Sequence, residues 1–160
     1  MVKWWIALNG LFLICVLGFS WQKEYLSMMI TTSKGIAQAA LVFFLLNVNM
    51  FFIFLIIRKS KNRNIKKALA KGSRKFMKLH IPIAITGTAL VIVHAALMLM
   101  HHPSSFTSLK FISGYFAFIV LVVLLITGYR RHKKATGMRR KLHITMAFFF
   151  LFIVSLHIFN

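Results

Sequence analysis

Four histidines carry the chemistry that can be read from this chain. They form two pairs with one spacing, His80 with His94 and His143 with His157, each 14 residues apart. Each first histidine sits in the same tetrapeptide, Lys78-Leu79-His80-Ile81 and Lys141-Leu142-His143-Ile144, and apolar sequence runs from it to the second. On an α-helix, 14 residues rise about 21 Å and fall about 40° short of four full turns. Both histidines of a pair therefore share one face, near opposite sides of a membrane. Two such helices side by side offer two facing histidine pairs, one above the other. Facing imidazole nitrogens suit the iron of a b-type haem. The pattern predicts two haem b groups, with His80 and His143 as axial iron ligands of an inner one and His94 and His157 of an outer one.

A lone histidine in a membrane helix is commonly a hydrogen-bonded packing residue. Four at two identical spacings weaken that reading, because ionisable groups inside a membrane are rare and usually functional. Zinc or copper is the rival ligand reading, but the pairs lie too far apart along the helix for all four to share one ion. Midway between the ligands stand Gly87 and Phe150. Gly87 suits close helix packing. Phe150 suits either packing or a place between the haems. His101 and His102, at the outer end of the same helix, stay open between interfacial residues, contacts to an outer substrate or ion, and a substitute for His94 in another register. His132 lies in a basic loop. Cys15, the one cysteine, excludes an internal disulfide and covalent haem attachment, and is expected to be a small packing residue.

The elements that must position these residues are membrane helices. Of the 160 residues 59% are hydrophobic, and the mean hydropathy is +0.79. The excess over a soluble domain lies in long uncharged runs. Five spans are expected, approximately 4–20, 36–57, 79–100, 111–129 and 142–159, in a single domain over 1–160. The fold class is an all-α integral membrane protein, its five transmembrane helices bundled around two stacked haem sites. Trp4, Trp5, Trp21 and Tyr25 read as interface anchors of the first span. Residues 21–35 read as a polar loop, and Pro82 falls in the first turn of the third span, where proline is tolerated. Asn47 and Asn49 read as interhelical hydrogen-bonding residues.

The net charge is +20, from 21 Lys and Arg against the single acid Glu24. On a soluble protein that would point to nucleic acid. Here the cations flank apolar helices, so they set topology and meet anionic lipid, and nucleic acid is not an expected partner. Ten basic residues lie in 58–78 and seven in 130–141, whereas the opposite side carries Lys23, Lys34 and Lys110. The expected location is the plasma membrane, multi-pass, with the N-terminus cytoplasmic and the C-terminus outside. Helices three and five then run parallel, and first histidine meets first, second meets second. Arg74, Lys75, Lys78, Arg139, Arg140 and Lys141 flank the inner site and are cations of the kind haem propionates pair with.

Parallel third and fifth helices, each with two histidines 14 apart, resemble the ferric reductase-like transmembrane domain found in ferric reductases, NADPH oxidases and the haem subunit of the methionine sulfoxide reductase system. The resemblance covers roughly 36–159 and rests on the histidines, their helix order and the topology. It implies bis-histidine haems at His80/His143 and His94/His157, and electron flow between a cytoplasmic donor and an outer acceptor. Members of that family commonly continue into a sixth helix and a flavin and nicotinamide domain, which is not found in this sequence. A separate cytoplasmic donor, a flavoprotein or a quinol, is therefore expected, making the chain an electron-transfer component of an oxidoreductase. Cytochrome b561-like proteins, which also hold two haems on four histidines, are a second possible kinship. The contrasting expectation is a non-redox accessory or transport subunit without haem. The absence of intramembrane acids and of two matched halves weakens its transport version.

Overall fold

The computed structural model describes residues 2–21, 27–101 and 107–160, with the side chains of 2–6, 20 and 21 outside that description. The expected anchors Trp4, Trp5, Trp21 and Tyr25, together with Lys23 and His102, therefore lie outside the described side chains. The described residues are all helical or connecting: α1 (Val2–Trp21), α2 (Met28–Lys59), α3 (Arg63–His101), α4 (Leu109–Lys133) and α5 (Gly137–Phe159). Four of them, α2 to α5, are long and apolar enough to cross a membrane. The apolar stretch described in α1 is the shorter Ala7–Phe19. Large side chains such as Ile85, Ile92, Ile119 and Phe152 are exposed. Such a surface suits lipid as solvent, in which apolar side chains face outward.

Contacts group the chain into two compact units, Met1–His101 and His102–Asn160. In the first, α2 packs along α3, and α1 touches α2. In the second, α4 packs along α5. Each unit thus contains one antiparallel hairpin whose second helix carries two of the histidines.

The helices run longer than their apolar runs. α3 was expected from 79, yet it starts at Arg63, because nothing between 63 and 78 breaks it. That stretch is rich in Lys, with Arg and Ala beside it, all strong helix formers. Asn62 caps it, its Oδ1 accepting from the backbone N–H of Asn64 at 2.9 Å and Ile65 at 3.3 Å. At 39 residues α3 is about 58 Å long, against a hydrocarbon core of about 30 Å. Pro82 consequently lies inside α3 rather than in its first turn.

α2 begins at Met28, so 28–35 is helix and not the expected loop. Two hydroxyls there turn back onto their own helix: Thr31 Oγ1 donates to the Ser27 carbonyl at 3.3 Å and Thr32 Oγ1 to the Met28 carbonyl at 2.9 Å. Bonded this way, they no longer compete with the helix for backbone groups. Two contacts fix the hairpin register, Ser33 against His94 and Asn47 against His80. They lie 14 residues apart on both helices. In that register 28–35 runs beside the apolar run of α3, while Phe51–Ile57 runs beside its basic stretch. Lys34, assigned to an outer loop by its sequence, is part of this helical stretch and only partly exposed.

α4 and α5 are flush. Ser108 and Thr136 cap them, accepting from the backbone N–H of Phe111 and Arg139. Buried between or along them are Ala117, Val120, Leu121 and Leu124 of α4 and Phe150 and Ile153 of α5. Phe116 meets Phe149 edge-to-face at 6.3 Å between centroids, a favoured aromatic geometry.

Cys15 is exposed on α1, contrary to the expectation that it packs inside. Asn47 and Asn49 do bond between helices: the Asn47 amide donates to the His80 carbonyl at 3.1 Å, and the Asn49 amide to Asn9 Oδ1 at 2.9 Å.

Candidate functional site

The four histidines lie on the second helices of the two hairpins, His80 and His94 on α3, His143 and His157 on α5. All four are partly buried. Each is met by a polar residue of the preceding helix, and those residues repeat at the histidine spacing: Ser33 and Asn47 on α2, Ser113 and Thr127 on α4.

At His94, Nδ1 lies 2.9 Å from the Ser33 carbonyl oxygen and 3.0 Å from Ser33 Oγ. A carbonyl only accepts, so Nδ1 carries the proton. The Ser33 hydroxyl proton is directed elsewhere, to the His94 carbonyl at 3.2 Å. At His157, Nδ1 lies 3.0 Å from Ser113 Oγ, and that hydroxyl donates to the Lys110 carbonyl at 2.9 Å. At His143, Nδ1 lies 3.3 Å from Thr127 Oγ1, which donates to the Leu124 carbonyl at 2.8 Å. A hydroxyl has one proton. With that proton on a carbonyl, the oxygen satisfies the imidazole only by accepting from Nδ1–H. The carbonyl assigns His94 to the Nδ1–H form, and the hydroxyls beside His143 and His157, each with a carbonyl to take its own proton, are placed to hold the same form.

This is the form in which a metal takes a histidine, with the second nitrogen bonded to an acceptor that orients the ring. The donor set fits haem iron in chemistry: imidazoles, with rings oriented by contacts at Nδ1 in His94, His143 and His157. It does not fit a protein-only metal cluster. Within either unit, among the described residues, no group of three or more His, Cys, Asp or Glu side chains converges.

Two glycines of α4 complete the second hairpin. A Cβ on Gly114 would lie 3.1 Å from His157 Cε1, and one on Gly128 would lie 3.2 Å from His143 Cε1. Both are tighter than an ordinary contact, so glycine is what lets the imidazoles approach α4 this closely. Ser113-Gly114 and Thr127-Gly128 are thus one device used twice, 14 residues apart. Gly87, between His80 and His94, serves packing: a Cβ there would lie 3.3 Å from the Phe44 ring. Phe150 is only 3% exposed, in keeping with its packing reading.

Arg139 and Lys110 act at helix ends. Arg139 Nη1 donates to the carbonyls of Arg130 and Lys134 at the end of α4. Lys110 Nζ donates to the carbonyls of His157 and Ile158 at the end of α5. Cations there satisfy the last carbonyls and oppose the negative dipole end. His101 ends α3 and is partly exposed, and His132 lies in the exposed last turn of α4.

The sequence reading missed Ser33, Ser113, Thr127, Gly114 and Gly128. The repeat of a hydroxyl residue followed by glycine at 113–114 and 127–128, in step with the histidines, is a signal that would have found four of them. Ser33 was hidden by its assignment to a loop. The polar residues that meet the histidines from the preceding helix repeat at 14 residues in both hairpins, which the sequence alone did not suggest.

Compared with protein-family models, characterised proteins and solved structures, the chain matches none.

Proposed function

We propose that this chain is a membrane b-type cytochrome. It binds two haems through His80 with His143 and His94 with His157, and serves as the haem subunit of a ferric reductase-like oxidoreductase system. The observation that carries the reading is the repeated imidazole environment: at His94, His143 and His157, Nδ1 lies within hydrogen-bond distance of an oxygen on the preceding helix. Packing histidines have no need of one common contact at Nδ1.

Haem, when bound, supplies a one-electron couple. The chain supplies four imidazole ligands, ring orientation through Ser33, Ser113 and Thr127, and helices apolar enough to keep the sites in a low dielectric. In this reading α1 is a fifth crossing, the basic stretches are cytoplasmic, and the protein lies in the plasma membrane. A separate flavoprotein or a quinol delivers electrons on the cytoplasmic side to an outer acceptor. The absence of carboxylates from the helices suits electron transfer without a carboxylate proton relay.

The test is a dithionite-minus-oxidised absorbance spectrum of protein purified from haem-replete cells, with haem measured per chain. Two low-spin b haems per chain are expected. One haem overturns the pairing. Colourless protein overturns the cytochrome reading and leaves the accessory or transport subunit.

A further inference from the structure

The same contact recurs at three histidines, from two helices that carry no ligand. We propose that Ser33, Ser113 and Thr127 are positioning residues that lock His94, His157 and His143 in the Nδ1–H tautomer, with Gly114 and Gly128 providing the space in which two of those rings sit. The proposal rests on the reading of these histidines as haem ligands and extends it to α2 and α4.

Three features of the geometry support it. Each hydroxyl has a carbonyl within reach to take its proton, which lets its oxygen accept from the ring: His94 O for Ser33, Lys110 O for Ser113 and Leu124 O for Thr127. Two of these carbonyls are three residues back on the hydroxyl's own helix, so helix geometry itself supplies the acceptor. Ser33 is 1% exposed and Thr127 7% exposed, so water cannot readily take their place. Finally, the hydroxyl and glycine are adjacent in α4, and both face the same imidazole at 113–114 and again at 127–128.

The consequence is chemical. In water a neutral imidazole prefers its proton on Nε2, which would block that nitrogen as a ligand. Holding Nδ1–H reverses the preference before any metal arrives. It also pushes electron density toward Nε2, which strengthens the bond to oxidised iron more than to reduced iron. Loss of the acceptor should weaken haem binding and raise the reduction potential.

The experiment begins with apoprotein labelled with 15N-histidine in lipid nanodiscs, where nitrogen chemical shifts report the tautomer. His94, His143 and His157 should be in the Nδ1–H form. Thr127→Ala should move His143 to the Nε2–H form, Ser113→Ala should do so for His157, and Thr127→Ser should retain the wild-type signal. Haem titration and redox potentiometry follow. Each alanine variant should lose about tenfold in affinity at one site. If that loss falls on the oxidised state alone, the potential of that site rises by about 59 mV. Wild-type rings in the Nε2–H form, or alanine variants that change neither tautomer nor affinity, overturn the proposal. A wild type that takes up no haem overturns the ligand reading instead, and the tautomer measurement still decides whether the hydroxyls lock the rings.

Discussion

Gly114→Ala should cost stability where an ordinary helical glycine gains from the same change. Alanine in a helix interior is worth about 1 kcal/mol over glycine. At position 114 the new Cβ would stand 3.1 Å from His157 Cε1, whereas ordinary contact begins at 3.4 Å, so the ring must retreat by about 0.3 Å. That retreat pulls against the 3.0 Å contact of Nδ1 with Ser113 Oγ. Overpacking of this kind costs about 1–3 kcal/mol. The net is a loss of about 0–2 kcal/mol. Gly72 in α3 is the reference, since a Cβ there meets nothing within 4 Å. Gly72→Ala should therefore stabilise by about 1 kcal/mol. The assay is unfolding of both apoproteins in mild detergent by titration with a denaturing detergent, read by circular dichroism. Gly72→Ala should unfold later than wild type, and Gly114→Ala no later or earlier. Equal stabilisation by the two changes would refute the close approach of His157 to α4 and with it the steric half of the site.

The cytochrome reading expects His143→Ala to remove the inner haem while sparing most of the outer one; equal loss of both, measured as haem per chain, would argue against independent sites. Asn9→Ala and Asn49→Ala should show a coupling of about 0.6 kcal/mol in a double-mutant cycle, as interhelical hydrogen bonds in membranes do; additive losses would mean the two amides do not meet. Lys110→Met should fray the end of α5, costing about 0.3–1 kcal/mol locally, and hydrogen exchange should rise at the last turn of α5 while the middle of α5 stays protected. Cys15→Ser should leave unfolding unchanged, because Cys15 is exposed; a measurable loss would place it in a packed interface.

Much of this protein could be read from its sequence because membrane helices are written locally. A run of about 20 apolar residues announces a span wherever it falls. The cations between the runs mark the expected orientation, and a 14-residue histidine interval assigns a helix face with no knowledge of the neighbour. Asn47 and Asn49 were legible for the same reason, since a buried amide needs a partner on another helix. Helix ends were not legible from hydropathy. The basic stretch from Arg63 to Lys78 and the hydroxyl-rich stretch from Met28 to Gly35 look like loops by polarity, yet they are helix by propensity and by side chains that bond back to their own carbonyls. Register was decided only in three dimensions. Which residue of α2 meets His94 depends on how far the two helices slide past each other, and packing sets that slide. Ser33, Ser113, Thr127 and the two glycines became part of the site only once the hairpins had closed, because what each does is defined by an imidazole on another helix.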